Sequence, residues 1–209
     1  MMKDKSFLQN HWNRIFTEKA DEALGWYESD VSYTLDFFPP EVLAEPKTIF
    51  IAGAGTSQLV DSLLAMGHRL VLNDISETAL DTLRERLGEP PSVHWLPADL
   101  SKALPDEVPP IDIWIDRAVL HFLTTEDAIA QYFASLRRCV QKNGLVLLAE
   151  FAEHGVQRCA GLPVRRYSLA DMNARMEPDF SLIKHADYDY VTPAGGQRPY
   201  LYAMYEKRG

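Results

Sequence analysis

Ile51-Ala52-Gly53-Ala54-Gly55-Thr56-Ser57 is the stretch on which the reading of this chain turns. It follows a short apolar run, Thr48-Ile49-Phe50-Ile51-Ala52, and leads into Ser57 to Met66. There Leu59, Val60, Leu63 and Leu64 keep a helical spacing and Gly67 is a natural stop. Strand, glycine turn and helix in that order form the first unit of a doubly wound fold. Glycine lets the backbone turn sharply and lets a ligand approach the main chain. A loop at the carboxyl end of the first parallel strand is where such folds bind nucleotides. Two glycines alone are weak evidence, because many strand-to-helix turns carry them for packing. Asp74 adds weight: it follows Gly55 by 19 positions, at the end of a second strand. A carboxylate there can accept two hydrogen bonds from a ribose diol. The competing reading is an acid favoured by the helix N-terminus that follows. A dinucleotide pattern would place a third glycine where Gln58 stands.

The alternation continues outward. Arg69 to Asn73 is the second strand, Ser76 offers an N-cap, and Leu80, Leu83 and Leu87 give the next helix its apolar stripe. Val93 to Leu96 and Ile111 to Ile115 read as strands three and four. A helix from about Glu126 to Val140 precedes an almost continuously apolar fifth strand, Gly144 to Phe151. Such runs predict strands covered on both faces, hence a parallel sheet between helices. The two ends break the rhythm. Residues 6–20 read as a helix with Phe7, Leu8, Trp12, Ile15 and Phe16 on one side. Asp179 to Val191 and Pro199 to Glu206 are strand-like, joined by Thr192-Pro193-Ala194-Gly195-Gly196, a hairpin loop. The expected organisation is one domain over 1–209, with an N-terminal helical segment (1–40), a binding core (47–151) and a loop with a C-terminal hairpin (152–209).

Charge and composition narrow the function. The chain holds 21 basic against 30 acidic residues, a net charge of −9. Affinity for a nucleic-acid backbone comes from clustered Lys and Arg, so no nucleic-acid partner is expected. No apolar run approaches the roughly 18 residues of a spanning helix. The start, Met1-Met2-Lys3-Asp4-Lys5-Ser6, shows no apolar leader, so a cytoplasmic protein without a membrane partner is expected. Cys139 and Cys159 have neither metal-like nor redox-like spacing, and no metal site is expected.

Asp99 follows the third strand in Pro97-Ala98-Asp99-Leu100, where an adenine amino group would need an acceptor, and Asp116 ends the fourth. With these residues in place, the sequence resembles the class I S-adenosylmethionine-dependent methyltransferases over nearly its whole length. Ala52 to Thr56 is similar to their glycine-rich motif, Asn73-Asp74-Ile75-Ser76 to the ribose-holding segment, and Ala98-Asp99-Leu100 to the adenine-contacting one. Lys142-Asn143-Gly144 is similar to the turn before their fifth strand. More narrowly, four pieces resemble small bacterial members related to the thiopurine methyltransferase group. They are His11-Trp12-Asn13, Gly25-Trp26-Tyr27, Asp116-Arg117-Ala118-Val119-Leu120-His121-Phe122 and Arg158-Cys159-Ala160-Gly161-Leu162-Pro163. The resemblance implies a Rossmann-like sheet of seven mostly parallel strands with an antiparallel C-terminal hairpin, S-adenosyl-L-methionine as cofactor, and methyl transfer as the activity. Two departures stand out. Ile51 occupies the place of the family's usual acid, so another group must meet the cofactor's ammonium, and Ser57 replaces a glycine.

The expected cofactor contacts are Trp12, Trp26, Gly53, Ala54, Gly55, Asp74, Ile75, Asp99, Leu100 and Asp116. The N-terminal segment is expected to act as a lid whose aromatic rings attract the sulfonium. Asp116 could orient a nucleophile or accept its proton. His121 is the candidate general base by its near-neutral ordinary pKa, against the alternative of a packing histidine. Arg117 could pair with an anionic substrate or with a carboxylate of the protein. Tyr27, Arg117, Arg158, Cys159 and Arg165 are the expected substrate contacts, the last three from the long stretch after the fifth strand. The expected acceptor is a small-molecule nucleophile, a thiol or another soft one by resemblance. The rivals are a protein-lysine methyltransferase and a non-catalytic nucleotide-binding module. A monomer or homodimer is expected.

Overall fold

A computed structural model describes residues 5–209. Met1 to Asp4, part of the start read above as lacking a leader, lie outside the described residues. The glycine turn joins β1 (Thr48–Ala52) to α4 (Gln58–Ala65), after an N-terminal region of α1 (Lys5–Glu18), a 3-10 turn (Asp21–Ala23), α2 (Ser32–Leu35) and α3 (Pro40–Leu43). Then come β2 (Arg69–Asp74), α5 (Glu77–Leu87), β3 (Val93–Pro97), β4 (Ile111–Arg117), a 3-10 turn (Leu120–Phe122), α6 (Glu126–Cys139) and β5 (Val140–Phe151). The chain finishes with the two-residue strands β6 (Arg158–Cys159) and β7 (Leu162–Pro163), α7 (Leu169–Met176), β8 (Phe180–Val191) and β9 (Gln197–Lys207).

Seven strands form one sheet in the order β3-β2-β1-β4-β5-β9-β8. The pairings from β3 to β5 are parallel, while β9 runs antiparallel to both β5 and β8. This is the doubly wound, Rossmann-like sheet with an antiparallel hairpin that the sequence predicts. Side chains alternate across each strand, so one β1 run fills two layers. Phe50 stacks on Trp114 at 3.8 Å between ring centres, on the face that α6 and α7 cover with Tyr132, Leu136 and Met172. Ile49 and Ile51 join Ile113 and Ile115 on the other face, beneath Leu63 of α4, Leu80 of α5 and the N-terminal Phe37 and Phe38. Side-chain caps fix the helix starts, Ser57 for α4, Ser76 for α5 and Thr125 for α6.

The sheet reverses its winding between β1 and β4, and their carboxyl ends open onto a cleft. The region after β5 is more ordered than the irregular stretch expected from the sequence, holding the β6–β7 ribbon and then α7. Among the described residues no helix is long and apolar enough to cross a membrane.

Candidate active site

Gly53 and Gly55 both take the left-handed conformation, with φ of 57° and 52°. Ala54 N donates to the Asn73 carbonyl at 2.7 Å, which ties the loop to the end of β2. The Asp74 carboxylate completes the tie, accepting from Gly55 N at 2.9 Å and from Ser76 N at 2.8 Å. One side chain thus fixes the glycine loop and the start of α5 while lining the cleft. Burial pushes its pKa up to about 6, against the pull of those backbone donors. Asn73 donates to the carbonyls of Leu96 and Ala98, which fixes the exit of β3 beside that of β2. Asp99 accepts from Ser101 N and, with Ile75 and Leu100, continues the same wall.

Across the cleft, the turn after β4 carries Val119 against the glycine loop. A Cβ on Gly53 would lie 2.2 Å from Val119 Cγ2, so only glycine fits there. Asp116 builds this turn: its carboxylate accepts from Val119 N at 2.9 Å, Leu120 N at 3.2 Å and the Tyr132 hydroxyl at 2.6 Å. Alternation along β4 turns Asp116 away from the cleft and Arg117 toward it. Asp116 is fully buried on the α6 face, so the structure does not bring it to the cofactor contact or the catalytic role expected of it.

His121 is also fully buried and outside the cleft lining, stacked on Phe151 at 4.3 Å. Its Nδ1 sits 2.9 Å from Glu150 Oε2, yet off the line of a hydrogen bond. The same Oε2 accepts from His121 N at 3.1 Å. Burial holds His121 neutral, with a pKa lowered to about 3, so the packing reading of this histidine fits and the general-base reading does not. Burial also lifts Asp116 well above its ordinary value and Glu150 to about 8; the charge of Glu150 pushes Asp116 further up, while a hydrogen bond from Asp116 pulls Glu150 down.

Arg117 lines the cleft, and protein groups surround its guanidinium. Nε donates to the Tyr202 hydroxyl at 3.2 Å, Nη1 to the Trp26 carbonyl at 3.2 Å, and Nη2 lies 2.6 Å from Glu28 Oε1. The guanidinium sits over the rings of Tyr190 and Tyr200 at 5.1 and 5.2 Å. Of the two roles expected, pairing with a carboxylate of the protein is the one seen. Burial raises the Glu28 pKa and Arg117 counters it in part.

The N-terminal segment covers the opening. Trp12 packs edge-on to Trp26 at 5.7 Å and to Phe122 at 4.9 Å, and Phe16 closes against Gly55. Asn13 accepts from the Ser76 hydroxyl, His11 meets the Ala160 carbonyl at 3.0 Å, and the Thr56 hydroxyl donates to Asp21 at 2.7 Å. Tyr190 fixes the Tyr27 carbonyl at 2.5 Å.

The structure therefore gathers Trp12, Trp26, Tyr27, the glycine loop, Asp74, Ile75, Asp99, Leu100, Arg117 and Cys159 around one cleft. It leaves two expected substrate contacts outside. Arg158 folds back on the Gly161 carbonyl, and Arg165 pairs with Glu126 at 2.5 Å beside Arg175, out in solvent where Glu126 draws them. Burial lifts the Cys159 thiol to about 11, so it stays protonated. Glu28, Phe122, Phe151 and Tyr200 also line the cleft. The signal for Glu28 was its place directly after Trp26-Tyr27, in a stretch without periodicity.

Residues 50–146 match the family model described as a methyltransferase domain, which covers β1 through the first half of β5. No curated protein matches the chain. Among solved structures, a SAM-dependent methyltransferase from Anabaena variabilis is 15% identical over 100% of this chain and 96% of its own, with a TM-score of 0.77. The 1,6-didemethyltoxoflavin-N1-methyltransferase of Burkholderia thailandensis, solved with 1,6-didemethyltoxoflavin and S-adenosylhomocysteine, is 20% identical over 98% of this chain and 87% of its own, TM-score 0.70. The N-methyltransferase NodS of Bradyrhizobium japonicum, solved with S-adenosylhomocysteine, is 11% identical over 96% and 98%, TM-score 0.72. Residues 50–146 thus match a methyltransferase domain, and the chain as a whole shares the fold of these S-adenosylmethionine-dependent methyltransferases.

Proposed function

We propose that this protein transfers the methyl group of S-adenosylmethionine to a small-molecule nucleophile, without nucleic acid and in the cytoplasm. One observation carries the reading: the Asp74 carboxylate stands beside a glycine loop that only glycine permits, at the carboxyl edge of the sheet. Asp74 then meets the ribose diol, and Asp99 with Leu100 receives the adenine. Bound there, the cofactor supplies a methyl group on a cationic sulfonium. Trp12, Trp26 and Phe16 exclude water from it and offer ring faces to its charge.

The acceptor enters from the β4, β5 and β9 side, past Arg117, Phe151, Cys159 and Tyr200. No histidine is among the residues lining this cleft, and His121 is held neutral outside it. A nucleophile that loses its proton readily to water needs no such base. This favours a thiol or another soft nucleophile, in keeping with the thiopurine methyltransferase resemblance of the Asp116–Phe122 and Arg158–Pro163 pieces. The toxoflavin enzyme above supports a small heterocyclic acceptor by analogy. Radioactive methyl transfer against a thiol panel and a cell lysate tests the proposal. Label on small molecules supports it, label on protein favours the protein-lysine reading, and no label favours a non-catalytic module. Asp74→Ala should lower S-adenosylhomocysteine affinity about ten- to a hundredfold, the range of hydrogen bonds to a charged group. Unchanged affinity in the folded variant by calorimetry would overturn the assignment.

A further inference from the structure

The amino-acid end of the cofactor carries an ammonium, and a cation taken out of water needs an opposing charge. The loop from Ile51 to Ser57 supplies none, since it holds no acidic side chain and Ile51 is packed in an apolar layer. Three carboxylates line the cleft: Glu28, Asp74 and Asp99. Asp74 and Asp99 stand at the ends of β2 and β3, where they are held by backbone donors of Gly55, Ser76 and Ser101. They face the adenosine side. Glu28 stands on the opposite side of the glycine loop, beside Arg117 at the end of β4. Its side chain is 12% exposed, and Arg117 holds it through Oε1. Oε2 makes no hydrogen bond among the described residues.

We infer that Glu28 is the counter-charge for the cofactor's α-ammonium, supplied by the N-terminal segment in place of the glycine loop. The inference rests on the proposed cofactor site and deepens it. Arg117 is then the positioning residue: it fixes one oxygen of Glu28 and the neighbouring Trp26 carbonyl, so the other oxygen is presented to the cleft. The arrangement makes cofactor affinity depend on closure of the N-terminal segment, because the same segment brings Trp26 and Glu28.

Calorimetric titration of the full chain with two ligands tests it: S-adenosylhomocysteine, and the same molecule with its amino group replaced by hydrogen. Glu28→Gln keeps the shape and the tie to Arg117 but removes the charge. The expected result is a ten- to hundredfold loss of S-adenosylhomocysteine affinity, with affinity for the deaminated analogue changed by less than about twofold. Retained binding of the analogue also reports that the variant is folded. Equal weakening of both ligands, or no weakening of either, overturns the role of Glu28 while leaving the cofactor site intact. Failure of the unmutated protein to bind S-adenosylhomocysteine overturns the proposed function and this inference with it.

Discussion

Asp74 does two things with one carboxylate, and they pull on its proton in opposite directions. Its two backbone donors favour the ionised form, while burial raises its pKa to about 6. Only the ionised form accepts from both backbone donors and a ribose diol together, so S-adenosylhomocysteine affinity should fall as pH drops below about 6. Asp74→Asn should remove that inflection, and a wild-type affinity flat from pH 7 to 5 would contradict it. Gly53 sets the other limit. A left-handed φ costs a residue with a Cβ about 1–2 kcal/mol, and the 2.2 Å approach to Val119 adds strain. Gly53→Ala should lower the melting temperature and weaken cofactor binding together, and Val119→Ala should restore part of both. Both residues were legible in the sequence, because a glycine turn followed by a strand-end acid is a local pattern. Asp116 and His121 were not. Both faces of β4 are buried and apolar, so its sequence does not say which of Asp116 and Arg117 points into the cleft.

At the scale of elements, the strands and helices of the sheet were legible because each keeps one period and ends in a cap or glycine. The first helix of the C-terminal region was not, since Leu169–Met176 shows only Met172 and Met176 buried and follows charged residues. Its one local mark is the Ser168–Asp171 capping box. The β6–β7 ribbon is two residues a side, too short for any alternation. The N-terminal segment was legible as an appendage with aromatic residues but not as the carrier of Glu28. It is held over the cleft by scattered polar ties, among them Asn13 to Ser76, His11 to Ala160, Asp21 to Thr56 and Tyr27 to Tyr190, by the Arg117–Glu28 pair, and by an aromatic cluster. The ties of its first part, at His11 and Asn13, are few, so we expect this segment to open without ligand from that end. Hydrogen exchange should show protection rising between Phe7 and Glu28 when S-adenosylhomocysteine binds. Equal protection in both states would make the segment a fixed wall.

Over the whole molecule, the acids behind the cleft give stability a pH dependence with a readable sign. Glu150 titrates at about 8 in the folded protein against an ordinary 4.5, with Asp116 also raised. Across that interval the folded state keeps a proton that the unfolded chain has released, so stability falls as pH rises. His121 acts oppositely: its pKa is about 3 folded against 6.5 ordinarily, so the unfolded chain binds the extra proton and stability falls as pH drops below 6.5. The two effects overlap below 6.5, and only the carboxyl effect remains between 6.5 and about 8. The groups facing the acids include Tyr132, which donates to Asp116, His121 and Tyr167 beside Glu150, and the Arg117 guanidinium, whose charge lowers Glu150. Unfolding free energies from urea titration should therefore decline from pH 6.5 to 8, with a slope approaching about 1.4 kcal/mol per pH unit for each proton held on folding. Glu150→Gln keeps an acceptor for His121 N, removes one acid and relieves the other. Its slope over that window should be clearly shallower. Parallel slopes for the two proteins would show that the proton held on folding sits elsewhere. That outcome would leave the packing of His121 and Asp116 standing while removing Glu150 as the source of the pH dependence.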